Sequence, residues 1–310
     1  ILTEKLHIQL ISVHKLKSEA RFCVLYFDHS SRRRINMDSA ALLSRVDELP
    51  RLPKAISELL DVVNDDNATV KNIATKVSHD PLISAKVLRL ANCAYYGHSR
   101  EVGSIDEAVV RLGMQTLRTL VLASAVMGAV PKCNGVDLAQ FWGQTFEIAL
   151  YNQEMAKRCG VQPDEAFTCG ILHRIGDLLI AAISPEDAEK INEAVAQGKD
   201  KHAFERELLG YDSPDIGALL AQNWKFTPAL VQGILYQDHP KDSNPFSKLA
   251  ALLCLSHKVL ADWDTIEDDD KTSWLSQLAT KKGLKMEMGG LRSKLTELRG
   301  VGFEIGKALA

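Results

Sequence analysis

DPLISAKVLRLANCAYYG, residues 80–97, reads as one helix with both of its ends marked. Asp80 carries a side chain suited to capping a helix. Pro81 suits the first helical position, where a missing N–H costs nothing. The helix runs to about Asn92, whose side chain can stop it and hydrogen-bond nearby backbone groups. Tyr95 and Tyr96 follow, and Gly97 permits the turn after them.

The same grammar extends in both directions. Upstream, VKNIATKV puts Val70, Ile73, Ala74 and Val77 on one face, with Thr69 placed to cap it. KAISELLDVV does the same with Ile56, Leu59, Leu60 and Val63. MDSAALLSRVDEL predicts a first helix, stopped by PRLP at 50–53. Downstream, Ser104 and Glu107 stand at capping-box spacing, and Gly113 suits a sharp joint before MQTLRTLVLASAV. VPKCNG, 130–135, is the clearest linker. Beyond it come a long helix closed by Gly160, a second spanning PDEAFTCGILHRIGDLLIAAI, and one from Pro185 to Gly198 with Ser184 as its cap. Shorter helices follow near 202–209, 214–223 and 228–237, then PFSKLAALLCLSHKVLADW and two or three amphipathic helices. The expected fold is all-α, with two packed helical subdomains at 37–131 and 132–310.

Residues 1–36 differ from this body. They read as strand or irregular, with KLHIQLISVH alternating in part, and hold seven Lys/Arg against three Asp/Glu, whereas the whole chain carries a net charge of −3. This head reads as the tail of an upstream domain, as a leader before a start at Met37, or as a working basic arm. A body from Met37 to Ala310 is expected to fold without it. The overall charge gives no reason to expect nucleic acid. Six scattered cysteines without a CxxC pair suit reduced thiols and a cytoplasmic location. TLVLASAVMGAV, 119–130, is too short to span a bilayer, so no membrane association is expected.

Chemistry is sparse. No P-loop, nucleophile elbow or HExxH pattern occurs. Cys159, Cys169 and His173 match no zinc spacing. His173 and Arg174 interrupt the apolar run ILHRIGDLLI, 171–180, and His257 sits in CLSHKVL. A histidine on such a helix is more often a packed core residue than a ligand. Arg111 and Arg118, near the Gly113 joint, can pair with the acids at 106–107 or face a partner.

LPRLPKAISELL, SHDPLISAKVLRLANCAYYG, SIDEAVVRLGMQTLRTLVLA and AFTCGILHRIGDLL together resemble the HDOD family, the HD-related output domain of bacterial signalling proteins. The resemblance covers about residues 42–262. It implies a second subdomain like an HD-type metal phosphohydrolase, whose histidines and carboxylates hold one or two cations. By the same resemblance the first histidine position falls near Gln144, and the His-Asp pair becomes His173-Arg174. A further histidine pair falls near Gln237-Asp238, and the last aspartate near His257. Arginine stays charged and cannot ligate a cation. The implied site is therefore degenerate, with no metal, cofactor or catalytic residue. The implied partners are other signalling proteins. An anionic small molecule is also conceivable, since His and Arg donors suit phosphate. The alternative is a phosphohydrolase with a rearranged ligand set, acting on nucleotides or cyclic dinucleotides.

Overall fold

The computed structural model describes residues 58, 61–62, 69–93, 101–129 and 136–309, and among these every regular element is a helix. The basic head, the helix expected from Met37, Tyr95, Tyr96, Gly97 and the 130–135 linker lie outside the described residues. The first group of helices is α1 (Val70–Ser78), α2 (Pro81–Ala91) and α3 (Ile105–Ala129). The second begins with α4 (Leu138–Ala156), α5 (Pro163–Leu172), α6 (Ile175–Ile183) and α7 (Pro185–Ala196). It continues through α8 (Lys201–Leu209), α9 (Ser213–Asn223), α10 (Pro228–Leu235) and α11 (Lys248–Asp262), and ends with α12 (Lys271–Lys281), α13 (Leu291–Leu298) and α14 (Val301–Leu309).

The caps do what their residue types allow. Asp80 Oδ1 accepts from the backbone N–H groups of Leu82 and Ile83 at 3.0 and 3.1 Å, with Pro81 opening α2. Asn92 reaches further than the local groups expected of it. Its Nδ2 donates to the Val102 carbonyl at 2.9 Å, and its Oδ1 accepts from the Val102 N–H at 2.7 Å. One side chain thus ties the end of α2 to the entry of α3. Ser104 Oγ accepts from the Glu107 N–H at 3.1 Å. Glu107 reaches back to the Gly103 N–H, one residue earlier than a regular capping box, and pairs with Arg111 at 2.7 Å. Gly113 breaks α3 at φ 80°, ψ 162°, a conformation that a side chain would strain.

α4 is the central post of the second group, with α5, α11 and α14 packed around it, while α3 leans on α5 and α14 also touches α2. Fully buried Glu147 on α4 accepts from the Tyr151 hydroxyl and from the backbone N–H groups of Gly300 and Gly302, each at 2.7 Å. The carboxylate therefore sits at the positive end of α14, where a helix favours an anion. Cys93, Cys159, Cys169 and Cys254 are free, buried thiols.

Two expectations fail here. PDEAFTCGILHRIGDLLIAAI is two helices rather than one, broken at His173–Arg174, where Arg174 has φ −108° and ψ 9°. The cause is tertiary. Gly170 lets α5 press on the backbone of Ala149, and Gly176 lets α6 press on the Ser213 carbonyl; a Cβ at either position would collide. Two glycines facing different neighbours give the two halves different seats. Ser184 makes no side-chain cap bond, so α7 starts on Pro185 alone. Pro163–Ile183 is also long and apolar enough, by composition, to cross a membrane, but it is mostly buried in the protein's own core.

Candidate functional site

The broken helix delivers Arg174 to a cluster between α4, α6 and α8. Arg174 Nη1 donates to Gln144 Oε1 at 2.7 Å, and Nε donates to Asp177 Oδ2 at 3.0 Å. Its guanidinium lies 4.7 Å from the Phe141 ring centroid, a cation–π contact. Lys201 Nζ donates to the other oxygen of Asp177 at 2.5 Å and lies 3.5 Å from Glu205. Glu205, 1% exposed, accepts from the Ser213 N–H at 2.8 Å. Burial opposes charge on Asp177, but Lys201 and Arg174 overcome it and hold the carboxyl well below the usual range. Burial likewise lowers Lys201, and Asp177 with Glu205 more than reverses it.

A second cluster adjoins the first. His173, 2% exposed, donates from Nδ1 to the Gly170 carbonyl at 2.6 Å, because a carbonyl can only accept. Its buried Nε2 has no hydrogen-bond partner. The His257 ring stands 4.9 Å away, centroid to centroid. Gln237 Nε2 donates to the His173 carbonyl at 3.0 Å. Asp238 pairs with His202 Nδ1 at 2.9 Å. Burial, then the His257 and Arg174 charges, push His173 well below the ordinary imidazole value. Burial also brings His257 down to about 4, outweighing the pull of Asp238. Burial works to raise Asp238, but the His202 bond and charge leave it at about 2.

All six positions expected at the site thus come together: Gln144, His173, Arg174, Gln237, Asp238 and His257. Asp177, Lys201, Glu205 and His202 are functional-looking residues that the sequence reading missed. Arg174 and Asp177, three apart across a helix start, were a findable signal. Lys201 is 24 residues from Asp177, and no period points to it.

The arrangement does not fit a metal. Among the described residues His173 Nε2 is the one buried imidazole nitrogen without a partner, far from the three or four ligands that a catalytic centre needs. Both oxygens of Asp177 are taken by cationic donors, and Arg174 would repel a cation. Among the described residues no three His, Cys, Asp or Glu side chains form a metal-holding group. The ion-paired cluster instead floors a groove of about 820 Å³ between α4, α6, α7 and α8.

Comparisons with known proteins agree with this architecture. The HDOD domain profile matches residues 49–240. A crystal structure from Shewanella amazonensis SB2B, provisionally named a phosphohydrolase, is 61% identical; the match covers 88% of this chain and 100% of that one, with a TM-score of 0.81. A Marinobacter aquaeolei VT8 structure, provisionally named a signal transduction protein, is 22% identical over 89% of this chain and 66% of that one, TM-score 0.70. An HDOD domain protein of unknown function from Geobacter sulfurreducens is 20% identical over 89% and 97%, TM-score 0.69. The last two share the fold alone. A curated protein from Treponema pallidum (strain Nichols), described as uncharacterized, is 25% identical over 245 residues. The match takes in 77% of this chain and 47% of that protein, so the chain spans about half the length of this relative.

Proposed function

This chain belongs to the HDOD domain family, and on that premise we propose a non-catalytic regulatory module of bacterial signal transduction that works in the cytoplasm through contacts with other signalling proteins. The observation that carries the reading is the bonding of Arg174. It stands beside His173, where a metal phosphohydrolase needs a carboxylate, and it is held by Gln144 and Asp177. A fixed guanidinium and the Lys201 ammonium supply the positive charge that a cation would bring, and neither can activate water. The helices around them share one buried apolar core.

Two other readings are weaker on chemical grounds. A phosphohydrolase acting on nucleotides or cyclic dinucleotides draws on the designation of the Shewanella amazonensis protein. It lacks a set of unengaged ligands in this chain. A sensor of a phosphorylated molecule would use Arg174 and Lys201 as donors. Both are already engaged by Asp177, and carboxylates outnumber cations along the groove. The test is a hydrolysis assay on a generic phosphodiester and on cyclic dinucleotides, across added Mn, Mg, Zn and Fe. No turnover is expected. Turnover that His173→Ala abolishes would replace this reading with the enzyme.

A further inference from the structure

We infer that the groove over the Arg174–Asp177–Lys201 cluster is a docking site for a basic, amphipathic peptide segment of a partner protein. The inference rests on the non-catalytic reading above and names the partner's chemistry. Apolar side chains share the groove's lining with polar ones: Phe141 from α4, Leu178 and Ala181 from α6, and Ile191 from α7, all nearly buried, and Val195 from α7. Val195 is 42% exposed, an apolar residue left open at the end of this stripe. Apolar side chains of a partner would gain burial there.

Charge selects the sign of that partner. Five carboxylates line the groove, those of Asp137, Asp177, Glu186, Glu189 and Glu205. Only Arg174 and Lys201 oppose them, and both are already bound to Asp177. The lining is therefore left with three negative charges in excess. Asp137 caps α4 and Glu205 is held by Ser213. Glu186 and Glu189 lie in the first two turns of α7 and line the groove from the exposed side of that helix, away from Ile191 and Val195. Complementary charge steers encounter and rejects partners of like sign. A segment with apolar side chains on one face and Lys or Arg along its edge meets both demands, whereas a phosphorylated or acidic ligand meets neither.

The probe is a fluorescein-labelled 14-residue Leu/Lys peptide with helical amphipathic spacing, titrated by anisotropy against the full chain, beside a Leu/Glu peptide of the same spacing. The Leu/Lys peptide should bind, more weakly at high salt, and the Leu/Glu peptide should not. The double variant Glu186→Gln/Glu189→Gln should weaken binding about tenfold. Glu189→Lys should weaken it further. Both sites lie on an outer helix, and a circular-dichroism melt confirms that each variant folds. Glu267→Gln/Asp269→Asn, exposed acids outside the groove, should leave binding unchanged. Absence of binding, equal binding by both peptides, or equal affinity in the α7 variants would each overturn the inference. If the peptide fails while the protein also hydrolyses nothing, the groove proposal alone falls. Metal-dependent turnover would remove the reading beneath it.

Discussion

The two adjoining clusters solve the same problem in opposite ways. Around Arg174, permanent charges are partly withdrawn from water and matched one against another, with Asp177 shared by Arg174 and Lys201. Around His173, the groups can titrate, and burial keeps two imidazoles neutral rather than paired. The difference teaches where each cluster is fragile. The first depends on the count of charges and is indifferent to pH near neutrality. The second is fragile to the gain of a proton.

The largest expected effect tests the charge count. Arg174→Asp puts a carboxylate beside Asp177 and leaves Gln144 without its donor. It should destabilise by about 3 kcal/mol, at the lower end for a buried pair because Arg174 is partly exposed. Urea unfolding measures it. A neutral result would mean that the ion pairs do not hold this region together. The same variant should gain no hydrolytic activity, because Lys201 still occupies Asp177.

Next comes pH. His257 is held at about 4 in the folded protein, and His173 is also lowered, against about 6.5 in the unfolded chain. The unfolded state therefore binds more protons in this window. Stability is fully present above about pH 6.5 and is lost as pH falls to about 4, by up to about 3 kcal/mol from His257. His257→Gln should remove that part of the slope. In His202, burial lowers the pKa but the Asp238 bond raises it more, so His202 stabilises in the opposite sense. His202→Gln should steepen the acid loss. Asp177, lowered in the fold, gives stability that is fully present above the ordinary carboxylate range and is lost only as pH falls below it. A flat stability profile from pH 7 to about 4.5 would erase the contrast between the clusters.

A smaller effect supplies a neutral yardstick outside both. Asn92→Ala leaves the buried Val102 N–H and carbonyl without their partner, at a cost of about 1–2 kcal/mol. Unchanged stability with loss of partner binding would make Asn92 a contact residue instead.

What could be read from sequence follows the range of the interaction. α2 was legible because Asp80 and Pro81 act within a turn of where they stand; the reach of the Asn92 side chain to Val102 was not. The joint at Gly113 was legible because only glycine takes that backbone angle easily. The break at His173–Arg174 was not: no Pro or Gly stands at it, and its cause lies in contacts of Gly170 and Gly176 with helices distant in sequence. The candidate site was half legible. The resemblance located Gln144, His173, Arg174, Gln237, Asp238 and His257. The residues that neutralise it, Lys201 and Glu205 above all, enter from α8 and carry no local signature.

The central claim is that side-chain cations stand in this site in place of a metal. Elemental analysis of protein purified without chelator tests it most directly, with His173→Ala measured in parallel. The account predicts Mn, Fe, Zn and Mg all well below one per chain, unchanged in the variant. Near one metal per chain in the native protein, lost in His173→Ala, would contradict it.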